Sequence, residues 1–399
     1  MKTIGTLTAG VALALASLCG AASAQSPGVT PTEIILGNTA PYSGPASAYA
    51  TIAKSALAYF DMVNDKGGIH GRKVKIISLD DAFTPAKAVE QTRKLVESDE
   101  VLAIFLPIGS PTSAATQPYL NLKKVPQIFV SSGASRWNQP EKYPWTVAWN
   151  ADYRAEGRAY AKYILDTVAD PKIAVLYQND DYGKDIVQGL RDGLGEKVKL
   201  IVSSRTYELA DVSIESQLSD AKASGANVFL SATTPKFASQ SIRGVAARNW
   251  KPTFIITSVS NSVDPVLTNG GLENAVGLIS SGYVKQPTDP QWHNDADYKT
   301  WLAFMDKYYP QGSKADWLNP YAYGMAYAMH QGLERAGPNP TREGLMKALE
   351  TIKDVPVPML LPGITISLSA TDHAPIKALQ MLRFDGKTWN TIGNLVKTD

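Results

Sequence analysis

At 399 residues, with 44% apolar and 19% charged side chains, the chain exceeds what one ordinary core needs, and two lobes of roughly 150–200 residues are expected. Thirty Gly and 25 Pro without a repeat period, beside 9% aromatic residues, exclude collagen-like, low-complexity and disordered classes. Thirty-nine basic and 37 acidic residues are interspersed, for a net charge of +2, so no nucleic-acid partner and no polybasic membrane patch is expected.

The first segment reads as a leader. Lys2 precedes the apolar run Val11-Ala12-Leu13-Ala14-Leu15, and Ala22-Ser23-Ala24 has the small-x-small form of a cleavage site. Residues 1–24 are therefore expected to be a cleavable signal peptide, since an apolar core of roughly 15 residues falls short of the ~20 a bilayer requires. Leu18 before Cys19 speaks against a lipoprotein. Residues 25–399 contain no cysteine, which leaves them without disulfides, thiolate catalysis or Cys-based metal sites.

Short β-branched runs then alternate with amphipathic segments, the pattern of parallel sheets with crossover helices. Strands are expected at 33–37, 74–78, 101–105 and 127–130. In the first helix, Ile52, Ala56, Phe60 and Val63 form one stripe, stopped by Gly67-Gly68. The second helix starts after Thr84-Pro85. The alternation restarts with strands at 173–177, 198–202, 228–230 and 254–256 and helices near 183–194, 212–223 and 235–248. Helices near 295–308, 319–336 and 341–352 are expected to return to the first lobe, and strand-like stretches at 364–368 and 379–384 to the second. The resulting organisation is α/β, with two doubly wound parallel-sheet lobes joined by a multi-strand hinge. One lobe takes 25–147 plus 283–355 and the other 148–282 plus 356–399.

In such sheets ligands bind at the carboxyl ends of the strands, where helix N-termini offer free N–H groups. Three loops there are rich in hydroxyls: Thr39-Ala40-Pro41-Tyr42-Ser43-Gly44-Pro45, Gly109-Ser110-Pro111-Thr112-Ser113 and Ser131-Ser132-Gly133-Ala134-Ser135. Hydroxyls beside backbone N–H groups favour a carboxylate, although any one such loop is also explained by helix capping.

The run Pro41-Tyr42-Ser43-Gly44-Pro45, then Tyr49, then Asn64-Asp65-Lys66-Gly67-Gly68-Ile69-His70-Gly71-Arg72-Lys73-Val74 and Asp80-Asp81 resembles the Leu/Ile/Val-binding proteins of bacterial ABC transporters, with the type I periplasmic binding fold. Lys124-Val125-Pro126-Gln127-Ile128, Gln178-Asn179-Asp180-Asp181-Tyr182-Gly183 and Asn319-Pro320-Tyr321-Ala322-Tyr323 agree in order and spacing. The resemblance implies a periplasmic receptor, expected to be a monomer, that closes its two lobes on a small-molecule carboxylate ligand and presents the closed form to a membrane permease. It implies that Ser110 or Thr112, together with Ser132, Gly133 and Ala134, hold the carboxylate. It further implies that Tyr182 closes from the second lobe and that Tyr49 and Tyr321 line the side-chain end. Tyr42, Thr234 and Ser258, on neighbouring loops, complete the candidate set.

One departure bears on the ligand. Amino-acid binders of this family carry an acidic residue after the strand corresponding to 254–256, paired with the ligand's α-ammonium; here the loop is Thr257-Ser258-Val259-Ser260-Asn261-Ser262. An unpaired buried ammonium is costly, so an aromatic or aliphatic acid without an α-ammonium is the expected ligand. Gly133-Ala134-Ser135-Arg136-Trp137 also resembles members that take up aromatic acids. The alternative is an amino acid, with Asp180 or Asp181 supplying the charge.

Enzyme readings find little support. Asn38-Thr39-Ala40-Pro41 follows the first strand in place of a dinucleotide-binding glycine turn, Gly386-Lys387-Thr388 lacks the leading Gly of a P-loop, and there is no G-x-S-x-G elbow. His70, His293, His330 and His373 are too widely spaced for a metal pair, and Asp80-Asp81 and Asp180-Asp181 sit where turns and caps are the commoner explanation. No catalytic residue, metal or cofactor is expected; a sensor partner or an unrecognised hydrolase is the remaining alternative.

Overall fold

The computed structural model describes residues 26–398; the leader read at 1–24 lies outside them. The first sheet comprises β1 (Glu33–Ala40), β2 (Lys73–Asp80), β3 (Ala103–Phe105), β4 (Gln127–Val130) and β5 (Thr146–Ala148), all parallel, in the order β2-β1-β3-β4-β5. The central strands β3 and β4 are wholly buried and wholly or largely apolar, as a sheet covered on both faces requires. On the outer strand β2, exposed Lys73 and Lys75 guard against further pairing.

Helices α1 (Ala50–Asp65), α2 (Pro85–Glu97) and α3 (Ser110–Leu122) follow the first three strands. The stripe Ile52, Ala56, Phe60 and Val63 of α1 is buried, and the helix packs against the later helix Leu318–Ala336.

The second sheet takes β6 (Ile173–Gln178), β7 (Ile201–Tyr207), β8 (Val228–Ala232), β9 (Thr253–Ile256) and β10 (Ile279–Gly282) in parallel. Helices α4 (Tyr153–Thr167), α5 (Asp181–Leu194), α6 (Glu215–Ala223) and α7 (Pro235–Ala247) accompany it. A separate two-stranded ribbon, β11 (Val355–Pro356) with β12 (Thr365–Ile366), precedes β13 (Ala378–Phe384) and β14 (Trp389–Lys397). These last two extend the sheet antiparallel, giving the order β14-β13-β10-β9-β8-β6-β7. The chain thus passes between the sheets after β5, after β10 and again before β13.

Two expected elements differ. The strand read at 198–202 begins only at Ile201, and Gly195–Leu200 forms a 3-10 turn. Val198 and Leu200 alternate like a strand, but β6 starts at Ile173, opposite Ile201, and leaves the earlier residues without a partner. The stretch 364–368 does not join the second sheet: Thr365–Ile366 pairs with Val355–Pro356, and the Leu368 N–H donates to the Ile352 carbonyl.

Helices α4 and α5 touch backbone to backbone with their N-termini together. A methyl group on Gly189 would come within 2.0 Å of the Arg154 carbonyl oxygen, and one on Gly157 within 2.3 Å of that of Ile186. This contact seats Tyr153 and Tyr182, in the first turns of the two helices, with ring centroids 5.0 Å apart. Gly189→Val is therefore expected to destabilise the protein by about 3 kcal/mol or more in urea melts. Arg191→Ala, on the exposed face of α5, should stay within about 0.5 kcal/mol of the parent.

Candidate functional site

The carboxyl ends of both sheets face a common cavity. Tyr49, Ile52, Ile108, Trp317 and Leu318 give it an apolar lining, and Ser110, Ser131, Asn150, Gln178 and Asp180 bring polar atoms to its wall.

On the first lobe, Gly109 (φ +98) turns the chain from β3 into α3, and the first-turn N–H groups of that helix have no intrahelical partner. Ser110 opens the helix. Ser132 Oγ already accepts from the Trp137 indole N–H at 2.9 Å and the Ala134 N–H at 3.3 Å, so its own proton goes to Ser110 Oγ, 2.7 Å away. The Ser110 proton is thereby left for a group in the cavity. Beside it, Tyr321 donates to Asn150 Oδ1 at 2.7 Å and accepts from Ser131 Oγ at 2.8 Å. A helix N-terminus flanked by hydroxyl donors suits a carboxylate.

On the second lobe, Asp180 caps α5. Its Oδ1 accepts from the Gly183 N–H at 3.1 Å and its Oδ2 from Gln178 Nε2 at 2.5 Å. The turn is tight enough that a methyl on Gly183 would fall 2.1 Å from the Gln178 carbonyl oxygen. Withdrawal from water pushes Asp180 up to about 6. Among the described residues no Lys, Arg or His forms an ion pair with it; Arg136 pairs instead with Asp181, at 2.8 Å. Tyr182, in the first turn of α5, is buried and meets Thr257 Oγ1 at 2.5 Å.

The candidates thus fall into two groups. Tyr49, Ser110, Tyr182, Thr234 and Tyr321 come together on the cavity wall. Thr112, Ser132, Gly133, Ala134, Ser258 and Tyr42 lie off it. The Thr112 hydroxyl bonds back to the Ile108 carbonyl at 2.6 Å, Ser132 supports Ser110, and the Gly133 carbonyl takes the Tyr153 N–H at 2.8 Å. Ser258 donates its N–H to fully buried Glu156 at 2.8 Å, and Tyr42 meets Ser78 at 2.6 Å. Sequence reasoning did not single out Tyr153, Gln178, Asn150 or Trp317. Tyr153 follows Asp152, which caps α4 through the Ala155 N–H at 2.8 Å, and that cap is the one local signal that marked its position.

The lobes meet around the cavity. The Tyr49 hydroxyl donates to the Val259 carbonyl at 3.2 Å, and the Ser135 N–H to Asp185 at 2.7 Å. Beyond these, Ser262 donates to Asp316 at 2.8 Å and Ser313 to Asp264 at 2.6 Å, a reciprocal pair of Ser–Asp links.

A sequence profile of the family described as periplasmic binding protein matches residues 33–388. The chain belongs to this family. It is 28% identical over 347 residues to Leu/Ile/Val-binding protein homolog 1 of Brucella abortus (strain 2308), covering 85% of this chain and 86% of that protein. Solved structures agree in fold. A branched chain amino acid ABC transporter protein from Thermus thermophilus, with bound valine, superposes with a TM-score of 0.80 at 14% identity, over 92% of this chain and 96% of that one. A fatty acid ABC transporter substrate-binding protein from Thermomonospora curvata gives 0.80 at 20%, over 94% of each. This periplasmic binding protein therefore has the type I fold of solute-binding receptors, a family of binders rather than of enzymes.

Buried Asp316, in one of the Ser–Asp links, makes the stability of the fold depend on pH. Burial first, then the charge of Asp264, push Asp316 from the ordinary 3.8 up to about 7. Between about pH 4 and 7 the folded protein holds a proton that the unfolded chain has released, so this group's contribution to stability falls as pH rises through that window. Against Asp316→Asn, the wild type should lose about 2–4 kcal/mol more between pH 4.5 and pH 8, read from urea melts.

Proposed function

We propose that this binding protein is the periplasmic receptor of an ABC-type uptake system, and that its ligand is a compact zwitterion, an amino acid with an apolar side chain. The carboxylate would lie at the start of α3 against the Ser110 hydroxyl, and the ammonium at Asp180 on the opposite lobe. Asp180 is the observation that carries this reading: a carboxylate on the cavity wall with no cation of its own. A deaminated acid would put two carboxylates in one cavity without a counter-ion, at a cost of a few kcal/mol unless Asp180 stays protonated. A zwitterion sets its ammonium against Asp180 and its carboxylate against the start of α3. The Leu/Ile/Val-binding name of the Brucella relative supports the same reading, whereas the fatty acid protein from Thermomonospora curvata is named for an acid without an ammonium.

The absence of an acid in the loop 257–262 favours a second reading, an aromatic or aliphatic acid without an α-ammonium. In either case the first lobe would comprise 25–147 plus 283–355 and the second 148–282 plus 356–399, in a leader-exported monomer whose closed form a permease recognises. Ligand bound between the lobes makes contacts available only on closure, which shifts the open–closed equilibrium.

Titration calorimetry against leucine, valine and phenylalanine and their deaminated counterparts, at pH 5 and pH 7.5, distinguishes the readings. Micromolar or tighter binding, about 8 kcal/mol, is expected for the amino acids. Their affinity should weaken at pH 5, where Asp180 takes up a proton, and Asp180→Asn should cost at least about 100-fold, or 3 kcal/mol. Preferential binding of the deaminated acids, strengthening towards pH 5 and strengthened rather than weakened by Asp180→Asn, would overturn the amino-acid reading.

A further inference from the structure

Phe83 stands between two compartments. On one side is the ligand cavity; on the other, an outer groove, mostly apolar, bounded by Pro45 and Pro111 of the first lobe and Leu209 and Ala210 of the second. Three side chains, Phe83, Gln178 and Asp180, border both. Gln178 and Asp180 are fixed by their mutual hydrogen bond and by the start of α5. The aromatic ring of Phe83 is held by packing alone. It rests on the α-carbon of Gly109, where a methyl group would come within 2.3 Å of Cε2, and against Tyr49, with centroids 6.1 Å apart.

The backbone beneath the ring is unusual. Phe83 has φ +57, a left-handed conformation that a bulky residue adopts only at an energetic cost. The Asp81 carboxylate imposes it, accepting the Phe83 N–H at 2.8 Å from a fully buried position. The turn thus drives a large aromatic side chain into the seam between the lobes, where a smaller residue would join the cavity to the groove.

We propose that Phe83 is a specificity-determining residue: its ring closes the cavity towards the outer groove and sets the greatest length of ligand side chain that the closed protein admits. This rests on the reading of the cavity as the ligand site. Shortening the ring extends the site into a groove whose apolar surface suits a hydrocarbon or aryl extension.

Two measurements test it. Residues 25–399 have no cysteine, so Ser110→Cys puts a single thiol on the cavity wall of that chain. Its alkylation rate is measured with iodoacetamide and with the bulkier N-phenylmaleimide, in the parent and in Phe83→Ala and Phe83→Leu, the latter serving if the alanine variant does not fold. The substitution should speed the bulky reagent at least tenfold more than the small one. No acceleration, or equal acceleration of both as from lobe opening alone, overturns the proposal. In parallel, without the cysteine, Phe83→Ala should gain at least tenfold in affinity for homophenylalanine relative to leucine; an unchanged ratio overturns it. If no amino acid binds either protein while size-dependent alkylation persists, the amino-acid reading fails and the partition stands.

Discussion

The site depends on a backbone contact that leaves no room for a single methyl group. Where α4 meets α5, Gly157 and Gly189 let the two helices approach until main-chain atoms touch. Helix α4 is the first element after the chain leaves the first sheet, and α5 follows the first strand of the second. Their contact therefore fixes how the cavity wall is assembled: Tyr153 from one helix, Tyr182 and the Asp180 cap from the other. Side chains packing against side chains would set that spacing with the slack of rotamers; glycine against carbonyl sets it with the stiffness of the peptide plane.

Polar groups around the cavity are arranged in ranks. Ser132 on one lobe, and Gln178 with Tyr207 on the other, are held by their own neighbours so that the groups in front of them keep a proton or a charge to spare. Tyr207 accepts the Thr234 N–H at 2.9 Å and donates to Gln178 Oε1 at 2.9 Å, so that Gln178 can only offer its amide to Asp180. Such a chain defines the direction of each hydrogen bond before any ligand arrives. Preorganised dipoles then meet a charged solute without the reorganisation that water would require.

Much of this was legible in the order of residues. Periodicity exposed the buried stripe of α1 and most of the parallel strands, and the hydroxyl-rich loops marked where the strands end. Which hydroxyl of a loop faces the ligand was not legible, because that depends on partners far along the chain: Ser132 is spent on Trp137 and Ser110, and Ser258 on Glu156, 102 positions away. Asp180 was read both as a turn or cap residue and as the charge that an amino acid would need. A residue that caps a helix reads as structural, yet here the same carboxylate caps α5 and borders the cavity. Edge strands were the other difficulty, since the exposed valines 198 and 202 mimic alternation in a segment that only its partner strand can delimit.

A covering helix of the first sheet and the last two strands of the second come from late in the chain. The helix Leu318–Ala336 lies against α1, roughly 270 positions earlier, and β13 pairs with β10 about a hundred positions before it. Neither half can reach its finished packing before these distant segments have been made. Contacts this distant in sequence slow folding through the entropy of closing long loops. The topology that sets two lobes around a cleft therefore also leaves each half incompletely packed until its distant segments have been made.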